Sequence, residues 1–230
     1  MIEVNNVSKS YTIGGNQVNA LDNVGLDINA GEFIAVTGPS GSGKSTLLYT
    51  LGGLLTPSTG SVRVFDQDIY GYNQRLRAKF RRENVGFIFQ TFELLPYLTA
   101  IENVMLPLSI DGVSNWEQEE RASECLGKVG LGNRADHKPS ELSGGEQQRV
   151  AVARGIVNEP KILLADEPTG NLDQKTGDDI MGLLTTLNEV DGQTIVFVTH
   201  DQSRTGSADR VIGMVDGGIV TVKKRDEING

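Results

Sequence analysis

The densest chemistry in this chain lies in nine consecutive residues, Gly38-Pro39-Ser40-Gly41-Ser42-Gly43-Lys44-Ser45-Thr46. They fit G-x-x-x-x-G-K-[ST] at every position. Glycines at such spacing let the backbone close on phosphate oxygens with no Cβ in the way. Lys44 is then expected to reach the β- and γ-phosphates of a nucleoside triphosphate, and the Ser45 hydroxyl to bind Mg²⁺. A second glycine pair lies in Leu142-Ser143-Gly144-Gly145-Glu146-Gln147-Gln148-Arg149 and also opens a helix. Helix N-termini bind anions because unpaired N–H groups and the positive end of the dipole point outward. Two anion sites in one chain need a reason. The economical one is that the second closes over a nucleotide held by another copy of the protein.

Further reactive groups sit at the ends of apolar runs. Phe33–Thr37 leads into the phosphate loop, Val85–Phe89 into Gln90, Lys161–Ala165 into Asp166-Glu167, and Thr194–Thr199 into His200. In parallel α/β sheets, ligands bind beyond the carboxyl ends of the strands. Each residue alone has a plain structural reading, such as a cap, a turn or a surface histidine. Together they outline one site with a phosphate cradle, a metal ligand in Asp166, a general base in Glu167 and a γ-phosphate sensor in His200.

The elements that must position these groups follow from length and pattern. At 230 residues, one large domain with a substantial core is expected. An apolar fraction of 38% and short apolar runs give no bilayer span, and Met1-Ile2-Glu3-Val4-Asn5 lacks the basic and long apolar regions of a signal peptide. A soluble, cytosolic chain is therefore expected. The single cysteine, Cys125, falls in a helical pattern and reads as packing. The net charge of −9 argues against a nucleic-acid partner, and leaves ATP to be held by local amides, Lys44 and metal. Lys223-Lys224-Arg225, followed at once by Asp226-Glu227, reads as a solvated end.

Residues 1–30 read as β-structure around a turn at Gly14-Gly15-Asn16, and Gly60–Phe65 as another strand. From about 98 to 158 the pattern is helical. Ser114-Asn115-Trp116-Glu117 reads as a capping box, with its helix running towards Val129, and a further helix starts near Glu146. Ile180, Leu183, Leu184 and Leu187 recur at helical spacing, and Asp216-Gly217 joins two strands in a hairpin. Strands alternating with helices predict an α/β fold with a mostly parallel sheet and an inserted helical block.

Taken together, these residues resemble the nucleotide-binding domain of ATP-binding cassette (ABC) proteins, over nearly the whole chain. Residues 38–46 match the Walker A motif, Gln90 the Q-loop, Leu142-Ser143-Gly144-Gly145-Glu146 the family signature, and Ile162–Glu167 the Walker B motif with its base. Asn171-Leu172-Asp173 matches the D-loop and His200 the switch histidine, while Tyr11 sits where the family stacks an aromatic on adenine. The resemblance implies one P-loop NTPase domain of the ABC ATPase type across 1–230. An antiparallel β subdomain would lie at the N-terminus and a helical subdomain, about 98–158, would be inserted in the core. It also implies a homodimer that sandwiches two ATP molecules, each between one copy's Walker A loop and the other's signature, with Gln90 touching Mg²⁺ and Asp173 near the nucleotide.

Finer similarities, in 38–47, 87–92, 98–104 and 166–173, resemble the lipoprotein-release and macrolide-efflux branch. The implied protein hydrolyses ATP on the cytoplasmic face of the membrane and powers a membrane transporter subunit encoded separately. A non-transport ABC ATPase acting on nucleic acid or ribosomes is the alternative. That class usually has two cassettes or a long coiled-coil insertion, and this chain has one cassette and an acidic balance. One more expectation concerns Thr91-Phe92-Glu93-Leu94-Leu95-Pro96-Tyr97-Leu98, whose large apolar side chains either pack the helical block or form a groove floor for a helix of the membrane partner.

Overall fold

The structure is a computed structural model that describes residues 1–110 and 112–228. Asp111, within the segment expected to be helical, lies outside them. The chain opens with β1 (Ile2–Ile13) and β2 (Asn16–Ile28), an antiparallel pair turning at Gly14-Gly15. Both glycines have positive φ, 58° and 85°, as such a turn requires. Alternation in β1 breaks at Asn6, whose φ is 50°, and the register shifts there. Asparagine tolerates this left-handed conformation better than most residues, and here it forms a bulge.

Next come β3 (Phe33–Thr37), α1 (Lys44–Leu51), β4 (Thr59–Val64), β5 (Gln67–Asp68), α2 (Gln74–Asn84) and β6 (Val85–Ile88). Helices α3 (Ala100–Ile110), α4 (Asn115–Lys128) and α5 (Gly144–Ile156) follow. The chain closes with β7 (Ile162–Asp166), α6 (Gln174–Glu189), β8 (Thr194–Thr199), β9 (Arg210–Val215), β10 (Gly218–Lys224) and the short α7 (Arg225–Ile228).

Two sheets result. One is antiparallel, in the order β2-β1-β4-β5. The other runs β10-β9-β3-β8-β7-β6, parallel except for β10. Strands β3, β7 and β8 are buried along their whole length, so their apolar runs are continuous rather than alternating. One face of the large sheet (Phe33, Ala35, Leu163, Phe197) packs on α3–α6. The other (Ile34, Val36, Leu164, Val196) packs on α1 and the antiparallel sheet, through Leu47, Leu48 and Leu51. Truncating such a leucine to alanine costs about 2–5 kcal/mol.

Helix α2 carries no apolar stripe: Phe80 is its one buried residue, and Asn73 caps it by accepting from Leu76 N at 3.0 Å. It runs into β6 without a loop. At α4 only half of the expected capping box forms. Ser114 accepts from Glu117 N at 3.4 Å, but the Glu117 carboxylate turns to Arg121, 3.7 Å away. Cys125 is buried on α4, and burial pushes its thiol up to about 11. Two elements meet backbone to backbone: a Cβ on Gly86 of β6 would collide with the carbonyl oxygen of Gly155 on α5. The basic end is exposed as expected, with Lys223 and Lys224 on β10 and Arg225 3.7 Å from Asp209.

Candidate functional site

The turn between β3 and α1 is shaped by its glycines. Gly38, Gly41 and Gly43 have φ of 154°, 79° and 98°. Gly43 is the N-cap of α1, and no side chain caps that helix start. The first amides of α1 therefore remain available to a ligand. A Cβ on Gly43 would strike Ala20 O and one on Gly38 would strike Met214 O, whereas Gly41 faces open space. Lys44 is 6% exposed and donates to Gly38 O at 3.0 Å and Pro39 O at 2.9 Å, so its ammonium spans the loop. The Ser42 hydroxyl is buried without a partner. Gly41, Gly43 and Lys44 line a cavity of about 210 Å³ with Ala20, Ser40, Ser45, Thr46 and, from β7's end, Glu167. Open amides and one buried cation fit a polyphosphate.

Asp166, at the end of β7, is 9% exposed. Its Oδ1 accepts from Ser45 Oγ at 2.9 Å, and its Oδ2 from the Tyr49 hydroxyl at 2.6 Å. Burial, and then the bond to Asp166, pushes the Tyr49 phenol well above the usual tyrosine range. Glu167 has φ 45° and anchors its N–H on Val198 O at 3.1 Å. Its Oε2 lies 3.0 Å from Nδ1 of His200, an exposed residue just past β8. Gln90 turns towards the 170–173 turn: its Nε2 is 3.5 Å from Asn171 Oδ1, and Asn171 returns a bond to Gln90 O at 3.0 Å. Gly170 leaves room for this, since a Cβ there would sit 2.7 Å from Gln90 Nε2 and 3.1 Å from Glu167 Oε2. The structure thus gathers Lys44, Ser45, Asp166, Glu167 and His200, with Gln90 beside them. No hydrogen bond among the described residues joins Gln90 to Ser45 or Asp166.

Other expected site residues stand apart. Asp173 caps α6, accepting from Thr176 N at 3.1 Å, and these bonds to Thr176 hold its carboxyl below the usual range. Ser143 caps α5 in a full capping box: Glu146 N donates to Ser143 Oγ at 3.3 Å, and Ser143 N donates to Glu146 Oε2 at 2.8 Å. Gly145 packs on the Thr176 side chain, and Gly144 faces Leu172. Residues 143–146 do not line the phosphate cavity. Tyr11 does not line it either; it pairs across the hairpin with Val18, two residues before Ala20, which does.

The segment after Gln90 is braced by residues that sequence reasoning missed. Arg154 donates to Phe92 O at 2.7 Å and to Glu93 O, while Asn103 accepts from Leu95 N at 2.8 Å and donates to Leu98 O and Thr99 O. An apolar groove of about 390 Å³ does lie nearby. Its floor is Phe87, Phe89, Leu106, Pro107 and Ile110, and of residues 91–98 only Glu93 lines it. Of the two readings of this segment, packing is the one Leu94 follows, against the helical core, while Arg154 and Asn103 tie down the backbone. Tyr49 was also missed. Its signal was its place four residues after Ser45, on the same face of α1.

Comparison with known proteins shows the family. The family described as ABC transporter matches residues 21–170. The lipoprotein-releasing system ATP-binding protein LolD of Geobacter metallireducens is 47% identical over 96% of this chain and 98% of its own. The macrolide export ATP-binding/permease protein MacB of Syntrophobacter fumaroxidans is 45% identical over 94% of this chain, which corresponds to 31% of that larger protein. A dimeric structure of the ATP-binding cassette MJ0796 of Methanocaldococcus jannaschii, in a post-hydrolysis state bound to ADP and Pi, superposes with a TM-score of 0.91 at 46% identity over 98% of this chain and 99% of that one. The chain therefore belongs to the ABC transporter family, as an ATP-binding and ATP-hydrolysing cassette.

Proposed function

We propose that this chain is the energy-supplying subunit of a lipoprotein-release or macrolide-efflux type transporter, working as an ATP-bound homodimer on the cytoplasmic face of the membrane beside a separate membrane subunit. The observation that carries the reading is the Glu167–His200 pair, 3.0 Å apart, with Glu167 lining the phosphate cavity. No helix among the described residues is long and apolar enough to cross a membrane.

In this reading the first-turn amides of α1 and Lys44 hold the β- and γ-phosphates. Ser45 and Asp166, with Gln90 swung inward, hold a divalent cation. Hydroxyl and carboxylate oxygens suit Mg²⁺, which binds through one or two carboxylates plus substrate phosphates. Consistent with that mode, the described residues contain no cluster of three or more His, Cys, Asp or Glu that would hold a metal unaided. When bound, the ion neutralises charge on the phosphate oxygens. Glu167 takes the proton of a water as that water's oxygen bonds the γ-phosphorus, and the bond to the bridging oxygen of ADP breaks. His200 holds Glu167 in place and senses the γ-phosphate. Ser143, Gly144, Gly145 and Glu146 meet the partner's nucleotide, Asp173 lies at the interface, and Tyr11 with Val18 offers an apolar face to the adenine. The groove over Phe87 and Phe89 receives a helix of the membrane subunit.

Glu167→Gln tests the core of this. The amide keeps the shape but takes no proton, so turnover should fall by about 10²–10⁴-fold while ATP binding persists. The variant should elute as a dimer with ATP and as a monomer without it. Near-normal turnover would move the base elsewhere. For the groove, Ile110→Arg should leave ATP binding intact and abolish co-purification with the membrane subunit.

A further inference from the structure

Tyr49 is not accounted for by the roles above. It lies on α1, one turn after Ser45, and both side chains reach the same carboxylate: Ser45 Oγ at 2.9 Å from Oδ1 of Asp166, and the Tyr49 hydroxyl at 2.6 Å from Oδ2. The phenol is a donor to one oxygen only. Its ring is itself fixed, 6.3 Å from that of Phe89, which in turn stacks on Phe87 at 5.8 Å. A half-buried aromatic so held cannot follow the carboxylate if it rotates. The Asp166 side chain is therefore pinned with Oδ1 on the Ser45 side and Oδ2 engaged elsewhere.

We propose that Tyr49 is a positioning residue that makes Asp166 a one-oxygen ligand and thereby sets which divalent cation the site prefers. The inference rests on Ser45 and Asp166 as the cation's holders. Mg²⁺ is small, keeps several waters and takes carboxylates through single oxygens, whereas Ca²⁺ accepts both oxygens of a carboxylate in a looser shell. Withholding Oδ2 leaves the first mode intact and removes the second. The hydroxyl also fixes the orientation of Oδ1, as partners of metal-binding carboxylates commonly do.

Tyr49→Phe removes the one oxygen and keeps the ring. Binding of a fluorescent ATP analogue to the full chain is titrated with Mg²⁺, with Ca²⁺, and in EDTA. The half-saturating Mg²⁺ concentration should rise by about 10-fold, at the lower end of what such partners contribute. The half-saturating Ca²⁺ concentration should stay or fall, so the preference narrows. Affinity in EDTA and the melting midpoint should match those of the parent. In an Asp166→Asn background, Tyr49→Phe should have no further effect, because its action runs through the carboxylate. Unchanged Mg²⁺ and Ca²⁺ midpoints would overturn the proposal, and so would an equal loss of affinity in EDTA or an undiminished effect in the Asp166→Asn background. If the parent's own binding is indifferent to divalent ions, it is the cation reading of Ser45 and Asp166 that fails.

Discussion

Helices α1 and α5 both begin on glycines, yet their starts are finished in opposite ways. Gly43 gives α1 no side-chain cap, and a buried lysine crosses the loop in front of it. At α5, Ser143 and Glu146 satisfy each other's amides, and a carboxylate already sits where the dipole is positive. The first start is prepared to hold an anion alone. The second is already satisfied by its own side chains. Glycine at a helix start is thus no measure of affinity; the residue that closes the first turn decides.

The contrast can be broken most forcefully at Lys44. Lys44→Ala deletes a charged donor, and hydrogen bonds to charged groups are worth about 1.5–3 kcal/mol each, so ATP binding by the isolated chain should weaken by about 10²-fold or more. Retained binding in a calorimetric titration would show that the amides of α1 suffice. Ser143→Ala should leave that titration unchanged and instead prevent ATP-dependent dimerisation in the Glu167→Gln background. It should also cost about 1 kcal/mol of stability through the lost cap. Loss of monomer binding would mean that the α5 start acts within its own chain.

Glu146→Gln sharpens the same comparison. It keeps a side chain able to close the capping box and removes the charge. The charge at a helix start is worth about 0.3–1 kcal/mol, so ATP-dependent dimers should tighten by about 2–5-fold, as read by sedimentation. The smallest effect concerns acid. Bonds from Ser143, and then the nearby Arg134, hold the Glu146 carboxyl below the usual glutamate range. A depressed value in the folded state means stability that is present above the ordinary glutamate pKa and is lost as pH falls through the lowered one. Acid unfolding should therefore begin at slightly different pH in the parent and in Glu146→Gln, with the variant's curve flatter below about pH 4.

What could be read in advance follows burial. Strands β3, β7 and β8 are covered on both faces, so their apolar runs stand out, and the groups at their ends could be placed from them. Helix α2 carries no sequence signal because it buries Phe80 alone, and the bulge at Asn6 in β1 shows only as a break in alternation. In the site, the glycines, Lys44, Asp166 and Glu167 declare themselves by spacing. Tyr49, Asn103 and Arg154 do not. A tyrosine on an amphipathic helix reads as packing, and the other two act on backbone carbonyls whose positions only the folded chain defines.

The contact between Gly86 and Gly155 has a mechanical meaning. Strand and helix meet there at backbone distance, so that end of α5 can serve as a fulcrum. Ser143 is twelve residues away, an arm of about 18 Å at the rise of an α-helix. A tilt of about 10° at the fulcrum would sweep the tip by roughly 3 Å, the length of one hydrogen bond. Gly86, Phe87 and Gly155 border the apolar groove, so a body pressed into it bears on the short end of this lever. A small wedge there would displace the Ser143 end of α5 by that distance.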